Sequence, residues 1–377
     1  MTNNKDKKVL NVPTLRFPEF NGEWEKCKLS KVCSFFSGGT PPSSNKEYYN
    51  GNIPFIRSGE LHNDETELFI TKEGLDNSAA KMVEVGDLLL ALYGATSGNI
   101  AISKIKGAIN QAILCIRTKQ NKKFVESVWN KHVARLLQTY LQGGQGNLSA
   151  DIVKNIPFYF TNIEEQNKLA RFISLLDQRI AAQNKIIEDL KKLKSAIYQE
   201  LFSNQQGEEY SLSELVEIIK GQQINGNELS ENGKYYVMNG GIMPSGYYDD
   251  YNTEAGTISI SEGGNSCGYV QYNSSKFWSG GHCYTLHIKP AAPISTLFLF
   301  HFLKWKETDI MTLRIGSGLP NIQKKDLSKV SIIVPTLDKQ QRIMTLLSTF
   351  QMKIEHEDMY AINLNKQKQY LLSQMFI

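Results

Sequence analysis

EEQNKLARFISLLDQRIAAQNKIIEDLKKLKSAIYQELF (164–202) and DKQQRIMTLLSTFQMKIEHEDMYAINLNKQKQYLLSQMF (338–376) are the stretches that decide the fold of this chain. In the first, Leu169, Ile173, Leu176, Ile180, Gln183, Ile187, Leu190, Lys194, Ile197 and Leu201 recur at alternating spacings of four and three, the a/d seam of a coiled coil. The second repeats this seam as Ile343, Leu347, Phe350, Ile354, Glu357, Ala361, Leu364, Lys368, Leu371 and Met375. Both are apolar except at the same two positions, Gln183/Glu357 and Lys194/Lys368. Residues 147–202 lie over 321–376 without a gap at an offset of 174, with eight identities in 56 positions, among them Asn147/Asn321, Gln166/Gln340 and Phe202/Phe376. So few identities carry little alone; the shared seam with its shared exceptions establishes an internal repeat.

Asn162 and Thr336 stand as N-caps, Glu164 and Glu165 fill the first turn of the first copy, and Gly207 is predicted to end the first helix. A helix from about 163 to 203 rises roughly 60 Å at about 1.5 Å per residue. It is stable only when the seam is covered, since burying each large apolar side chain contributes about 1.5–3 kcal/mol. The other copy is the economical cover: the chain leaves the first helix, builds a domain and returns along the second, which makes the pair antiparallel. The alternative is two surface helices, each packed on its own domain. Lys194 and Lys368 are expected to form polar layers that set the register, so that leucine at both would stabilise the helices and permit slippage.

A module with related landmarks precedes each helix. Leu29–Gly38 matches Leu212–Gly221 at an offset of 183, and DLLLA (87–91) with Gly98 matches TISIS (257–261) with Gly268 at an offset of 170. Short runs such as LLLAL, AILCIR, TISIS and CYTLHI, bounded by Gly, Asn and Ser, read as strands, and a helix closes each module near residues 124–142 and 295–313. The expected fold is α+β, with two mixed α/β recognition domains separated by two long antiparallel coiled-coil helices in a pseudo-two-fold repeat. The expected boundaries are 1–160, 161–204, 205–334 and 335–377.

The loops carry the chemistry. SGGTPPSSNKEYY (37–49) offers Thr40, Ser43, Ser44, Asn45 and Lys46; IRSGELHND (56–64) adds Arg57 and Ser58; Thr96 and Ser97 precede Gly98. In the second module Gln222, Gln223 and Asn225, then Asn239, Tyr247 and Tyr248, then Glu262, Asn265 and Ser266 occupy the corresponding loops. Asn and Gln pair bidentately with adenine, Arg with guanine, and Ser or Thr reaches base or phosphate, so these residues are candidate DNA contacts. Each alone is equally a turn residue, because Gly, Asn, Ser and Pro populate loops for backbone reasons. Two unequal loop sets on one repeated frame suit the reading of two different sequences.

Other features narrow the function. The 377 residues suffice for two cores, and a formal charge of +4 is too mild to argue nucleic-acid binding from bulk charge. Five scattered cysteines without C-x-x-C spacing read as reduced thiols, and no secretory signal or long apolar run is present, which leads to the expectation of a cytoplasmic protein without a membrane span. NIPF occurs at 52–55 and 155–158 and is similar to the base-holding tetrapeptide of amino-directed DNA methyltransferases, but the second Pro is missing. Neither Gly38-Gly39, Gly143-Gly144 nor Gly263-Gly264 stands in the strand–loop–helix context of a cofactor loop. Cys267, His282 and Cys283 lack a fourth ligand at metal spacing.

The whole chain resembles the specificity subunit of a Type I restriction-modification system, from SGGTPPS and PTLRFPEFNGEWEKCKLSKV at its start to the helix openings EEQNKLARFISLLDQRI and DKQQRIMTLLSTF. The resemblance implies a chain without a catalytic centre, metal or cofactor of its own, whose two domains each read half of a bipartite site in double-stranded DNA across a gap set by the helices. It further implies two methyltransferase subunits that bind S-adenosylmethionine, and restriction subunits that use ATP and Mg, as partners in host defence. The alternatives are a recognition subunit of another bipartite restriction enzyme, a self-contained DNA adenine methyltransferase, and a coiled-coil scaffold that never touches DNA.

Overall fold

The computed structural model describes residues 10–140, 148–316 and 318–377. Asn147, at the head of the repeat, and Gly143-Gly144 lie outside them. The chain divides into two compact units, residues up to 184 with 359–377, and residues 185–358. Each takes one half of each long helix, which span Ile163–Ser203 and Leu337–Met375.

The strands of the first unit are β1 (Glu25–Lys28), β2 (Cys33–Ser37), β3 (Tyr49–Ile56), β4 (Phe69–Ile70), β5 (Lys81–Val83), β6 (Leu88–Ala91), β7 (Ile100–Ile102), β8 (Gly107–Ile109), β9 (Ile113–Thr118) and β10 (Pro157–Phe160). They form an antiparallel sheet β2-β9-β6-β7, a second sheet β4-β3-β8-β5 in which β3 and β8 run parallel, and the pair β1-β10. β6 is buried on both faces: Leu88 and Leu90 join the core around Phe124 and Trp129 of the helix Lys122–Tyr140, while Leu89 and Ala91 join Ile56, Ile109 and Cys115 beneath the second sheet. That double cover is why its sequence reads as a continuous apolar run.

The second unit repeats the frame with β11 (Glu208–Ser211), β12 (Val216–Lys220), β13 (Tyr235–Met238), β14 (Tyr247–Tyr248), β15 (Thr257–Ser261), β16 (Val270–Asn273), β17 (Trp278–Ser279), β18 (Cys283–Ile288) and β19 (Ser331–Val334). Its sheets are β12-β18-β15-β16, β14-β13-β17 and β11-β19. Here the central strand alternates: Ile258 and Ile260 enter the core against Phe298 and Phe302, whereas buried Ser259 accepts a hydrogen bond from Asn273 at 2.9 Å on the other face. The module helix runs Thr296–Trp305 and restarts as Glu307–Thr312, broken at Lys306.

Asn162 caps the first long helix, its Oδ1 accepting the Glu165 amide at 2.9 Å. That helix spans Ile163–Ser203, the expected 163 to 203, but it stops four residues before Gly207, which therefore does not terminate it. Gly207 serves packing instead: a Cβ there would lie 2.3 Å from the Val334 carbonyl oxygen. Within each unit the two long helices run antiparallel. In the first, Asp177 pairs with Lys368 at 2.5 Å and Arg179 lies over the ring of Tyr360; in the second, Lys194 donates to Gln351 at 2.6 Å and Lys191 pairs with Asp358 at 3.7 Å. Every seam position, Leu169, Ile173, Leu176, Ile180, Gln183, Ile187, Leu190, Lys194, Ile197 and Leu201 with their ten counterparts, is buried or half-buried.

The two polar layers are chemically unequal. Lys368 faces Asp177, whose carboxyl burial would raise but which Lys123 at 2.7 Å and Lys368 hold below the ordinary range. Lys194 faces a neutral amide, and burial lowers its pKa with only Glu355 opposing. Leucine would therefore remove a charged pair at Lys368 but only a contact with a neutral amide at Lys194.

Two repeat identities acquire physical reasons. Buried Gln166 accepts the Asn121 amide at 3.1 Å and donates to Thr161 O at 2.7 Å; Gln340 accepts the Ser295 amide at 2.9 Å and donates to Pro293 O and Pro335 O at 2.8 and 2.9 Å. Each glutamine thus ties the start of a long helix to the start of its module helix. Phe202 packs against Phe298 at 5.7 Å, and Phe376 against Phe124 at 5.5 Å, so each long helix ends in an aromatic core.

Candidate nucleic-acid interface

The two units bring their candidate loops out from equivalent places. Gly38 and Gly221 follow β2 and β12, and both press on a neighbouring strand's backbone: a Cβ would lie 1.8 Å from Ile109 O in the first unit and 2.3 Å from Gly280 O in the second. No side chain fits there, so glycine launches each loop. In the first unit Gly39, Pro41 and Tyr49 hold the loop down, with Tyr49 OH donating to Pro41 O at 2.5 Å.

Thr40 is exposed and donates to Gln111; Ser43, Ser44 and Lys46 are exposed, and Asn45 caps the short turn Lys46–Tyr48 by accepting the Glu47 amide. Arg57 follows β3 but its guanidinium is committed to Glu60 at 2.9 Å and Glu67 at 2.7 Å. Burial would raise the Glu60 carboxyl, yet the Arg57 side chain and backbone, the Glu67 amide and Thr66 hold it down to about 2. Arg57 therefore organises the 57–67 loop, with only its Nη1 edge uncommitted to these carboxylates. Ser58 and Thr96 are half-buried, and Ser97 turns inward to Leu92 O at 3.0 Å.

In the second unit Gln222, Gln223, Asn225 and Asn265 are exposed, Ser266 is half-buried, and Tyr247 is exposed beside Tyr248, whose ring meets Trp278 edge-on at 5.1 Å. Asn239 follows β13 and spends its Oδ1 on the His282 amide at 3.1 Å. Glu262, expected at the loop surface, is buried: its Oε1 accepts Lys220 at 2.6 Å and Tyr284 OH at 3.1 Å, while its buried Oε2 has no hydrogen-bond partner. Loops 220–223, 239–241, 261–266 and 280–284 thereby converge on one polar cluster. Among the described residues no group of His, Cys, Asp and Glu is arranged to hold a metal, and no helix is long and apolar enough to cross a membrane.

The frame beneath both loop sets is the same. Leu92 N donates to Ala112 O and Leu148 N to Leu92 O, both at 2.8 Å; the counterparts are Glu262 N to His282 O at 2.9 Å and Ile322 N to Glu262 O at 2.8 Å. Identical backbone bonds thus carry Leu and Ala in one unit, Glu and His in the other. The family model described as Type I restriction modification DNA specificity domain matches residues 21–192 and again 204–364.

The chain belongs to that family.

Members of this specificity-domain family are its relatives. S.MpnORF638P of Mycoplasma pneumoniae is 34% identical over 162 residues, 42% of this chain and 43% of that protein. The type I restriction enzyme MjaVIII specificity subunit of Methanocaldococcus jannaschii is 24% identical over 251 residues, 61% of this chain and 57% of the relative. The match thus spans less than two thirds of either relative's length. Among solved structures, the Type-I restriction-modification system S subunit from M. genitalium shares the fold over 97% of this chain and 99% of its own, with a TM-score of 0.60 at 19% identity.

Residue types in loops signalled the candidates, but not which were already spent. His282 and Lys220 were missed as candidates, although the repeat offset of 170 sets His282 and Glu262 where the first module has Ala112 and Leu92.

Proposed function

We propose that this chain is the DNA-sequence specificity subunit of a Type I restriction-modification complex, and that each recognition domain, 1–160 and 205–334, reads one half of a bipartite site. The observation that carries the reading is the pair of identical backbone frames bearing dissimilar loop chemistry, which suits two half-sites of unlike sequence. The long helices, 161–204 and 335–377, set the unread gap and recruit two methyltransferase subunits. A 41-residue helix rises about 60 Å, more than the roughly 34 Å turn that separates half-sites in dimeric DNA readers.

In this reading the chain holds no catalytic centre; S-adenosylmethionine belongs to the methyltransferase partner, and ATP with Mg to the restriction subunits. Thr40, Ser43, Ser44, Lys46, Gln222, Gln223, Asn225, Asn265 and Tyr247 carry the phosphate and base contacts from the exposed loop surfaces. A net charge of +4 leaves part of the phosphate contact, and its salt-sensitive affinity, to partner subunits.

Co-expression of the full chain with its methyltransferase subunit, followed by single-molecule mapping of methylated adenine, tests the proposal. A two-part motif with a fixed gap is expected. Methylation at a contiguous motif, or none above the methyltransferase alone, overturns it.

A further inference from the structure

We infer that His282, held beside the buried carboxylate of Glu262, is a specificity-determining residue of the second recognition domain and reads a base edge bearing an amino group, adenine N6 or cytosine N4. The inference rests on the DNA-reading function proposed above and adds the residue, the atom and the class of base.

His282 is fixed in its backbone and free in its side chain. Its N–H donates to Asn239 Oδ1 at 3.1 Å and its carbonyl accepts the Glu262 amide at 2.9 Å, yet its side chain is 63% exposed. Gly240 packs closely against the base of this side chain: it adopts φ +84, and a Cβ there would lie 3.1 Å from the His282 Cβ.

The His282 Nδ1 lies 3.9 Å from Glu262 Oε2, the oxygen that is buried without a hydrogen-bond partner. The other oxygen is taken by Lys220 and Tyr284. Of the two neutral imidazole tautomers, a carboxylate on the Nδ1 side favours the one with its proton on Nδ1. In that tautomer Nε2 of the exposed side chain carries the lone pair, an acceptor that matches the amino hydrogens of adenine or cytosine and opposes the acceptors of guanine and thymine in the major groove.

The first unit supplies the internal control. There the same backbone bond, Leu92 N to Ala112 O, forms at 2.8 Å with neither an acid nor an imidazole present. The frame does not require the pair. A buried acid beside an exposed imidazole, placed among recognition loops, serves recognition.

The test selects duplexes from a randomised library with the full chain co-expressed with its methyltransferase subunit, comparing wild type, His282→Phe and Glu262→Gln. Wild type is expected to prefer adenine or cytosine at one position of one half-site. His282→Phe keeps an exposed ring and loses the acceptor of a single hydrogen bond, so discrimination there falls by about 2- to 13-fold while the other half-site is unchanged. In Glu262→Gln the amide oxygen keeps Lys220 and Tyr284, the NH2 faces Nδ1 and moves the proton to Nε2, and the preference shifts to guanine or thymine. The change of base preference is a readout that a merely structural role for Glu262 would not move. An unchanged motif in His282→Phe, or equal loss in both half-sites, overturns the role of His282. An unchanged base preference in Glu262→Gln overturns the tautomer assignment. Wild type that selects no motif overturns the DNA-reading function itself, a failure distinct from the other two.

Discussion

Gln340→Ala is expected to loosen the second unit and leave the first intact. The buried amide of Gln340 makes three hydrogen bonds, all to backbone: it accepts from Ser295 N at 2.9 Å and donates to Pro293 O at 2.8 Å and Pro335 O at 2.9 Å. Each such bond is worth about 0.5–1.5 kcal/mol net, and a buried group left unpaired costs about 1–3 kcal/mol, so the total is about 3 kcal/mol. Gln340→Glu separates hydrogen bonding from packing, because it preserves volume but turns an oxygen toward two carbonyls; the loss should persist. Peptide-resolved hydrogen exchange reads it out: amides in 295–305 and 337–347 should exchange about a hundredfold faster, at about 1.4 kcal/mol per decade, while those in 122–140 are unmoved. Acceleration below tenfold, or equal acceleration in both units, would refute the reasoning. Gln166→Ala should reverse the pattern with a smaller effect, since one of its three bonds, at 2.7 Å, goes to the side chain of Gln120, which can turn away.

Three further outcomes are expected. Lys194→Leu should modestly stabilise the second unit, by removing a half-buried cation whose hydrogen-bond partner is a neutral amide, whereas Lys368→Leu should cost the first unit about 1–3 kcal/mol through the lost charged contact with Asp177; urea titrations of the single variants would show shifts of opposite sign. Glu60 titrates at about 2 in the fold against an ordinary 4.5; its depressed value makes its contribution complete above 4.5 and lost as pH falls toward 2, so Glu60→Gln should flatten the acid limb of first-unit stability measured by exchange. Gly38→Ala, whose Cβ would meet Ile109 O at 1.8 Å, should cost about 3 kcal/mol or more, while Gly59→Ala, with nothing within 4 Å, should be near neutral in thermal unfolding.

Much of the architecture was legible because it depends on periodicity. Alternating spacings of four and three oblige a long helix to bury one stripe, and a duplicated stripe supplies its own cover, so the antiparallel pairing seen at Asp177 with Lys368 and at Lys194 with Gln351 follows from residue order. The strands of both modules followed from short apolar runs between turn residues, and the two frames from landmarks at fixed offsets. Local chemistry placed Asn162 as a cap.

What tertiary structure alone decided is how each polar group is spent. Arg57 has the composition of a guanine reader, yet Glu60 and Glu67 lie where they engage it. Glu262 sits in a loop of small polar residues, yet its carboxylate is buried beside an exposed His282. Gly207 resembles a helix terminator and is instead a contact with Val334. A side chain's hydrogen-bonding capacity is a property of the residue, and sequence records it. Whether that capacity remains available depends on partners brought close from distant parts of the chain, and only the fold specifies them.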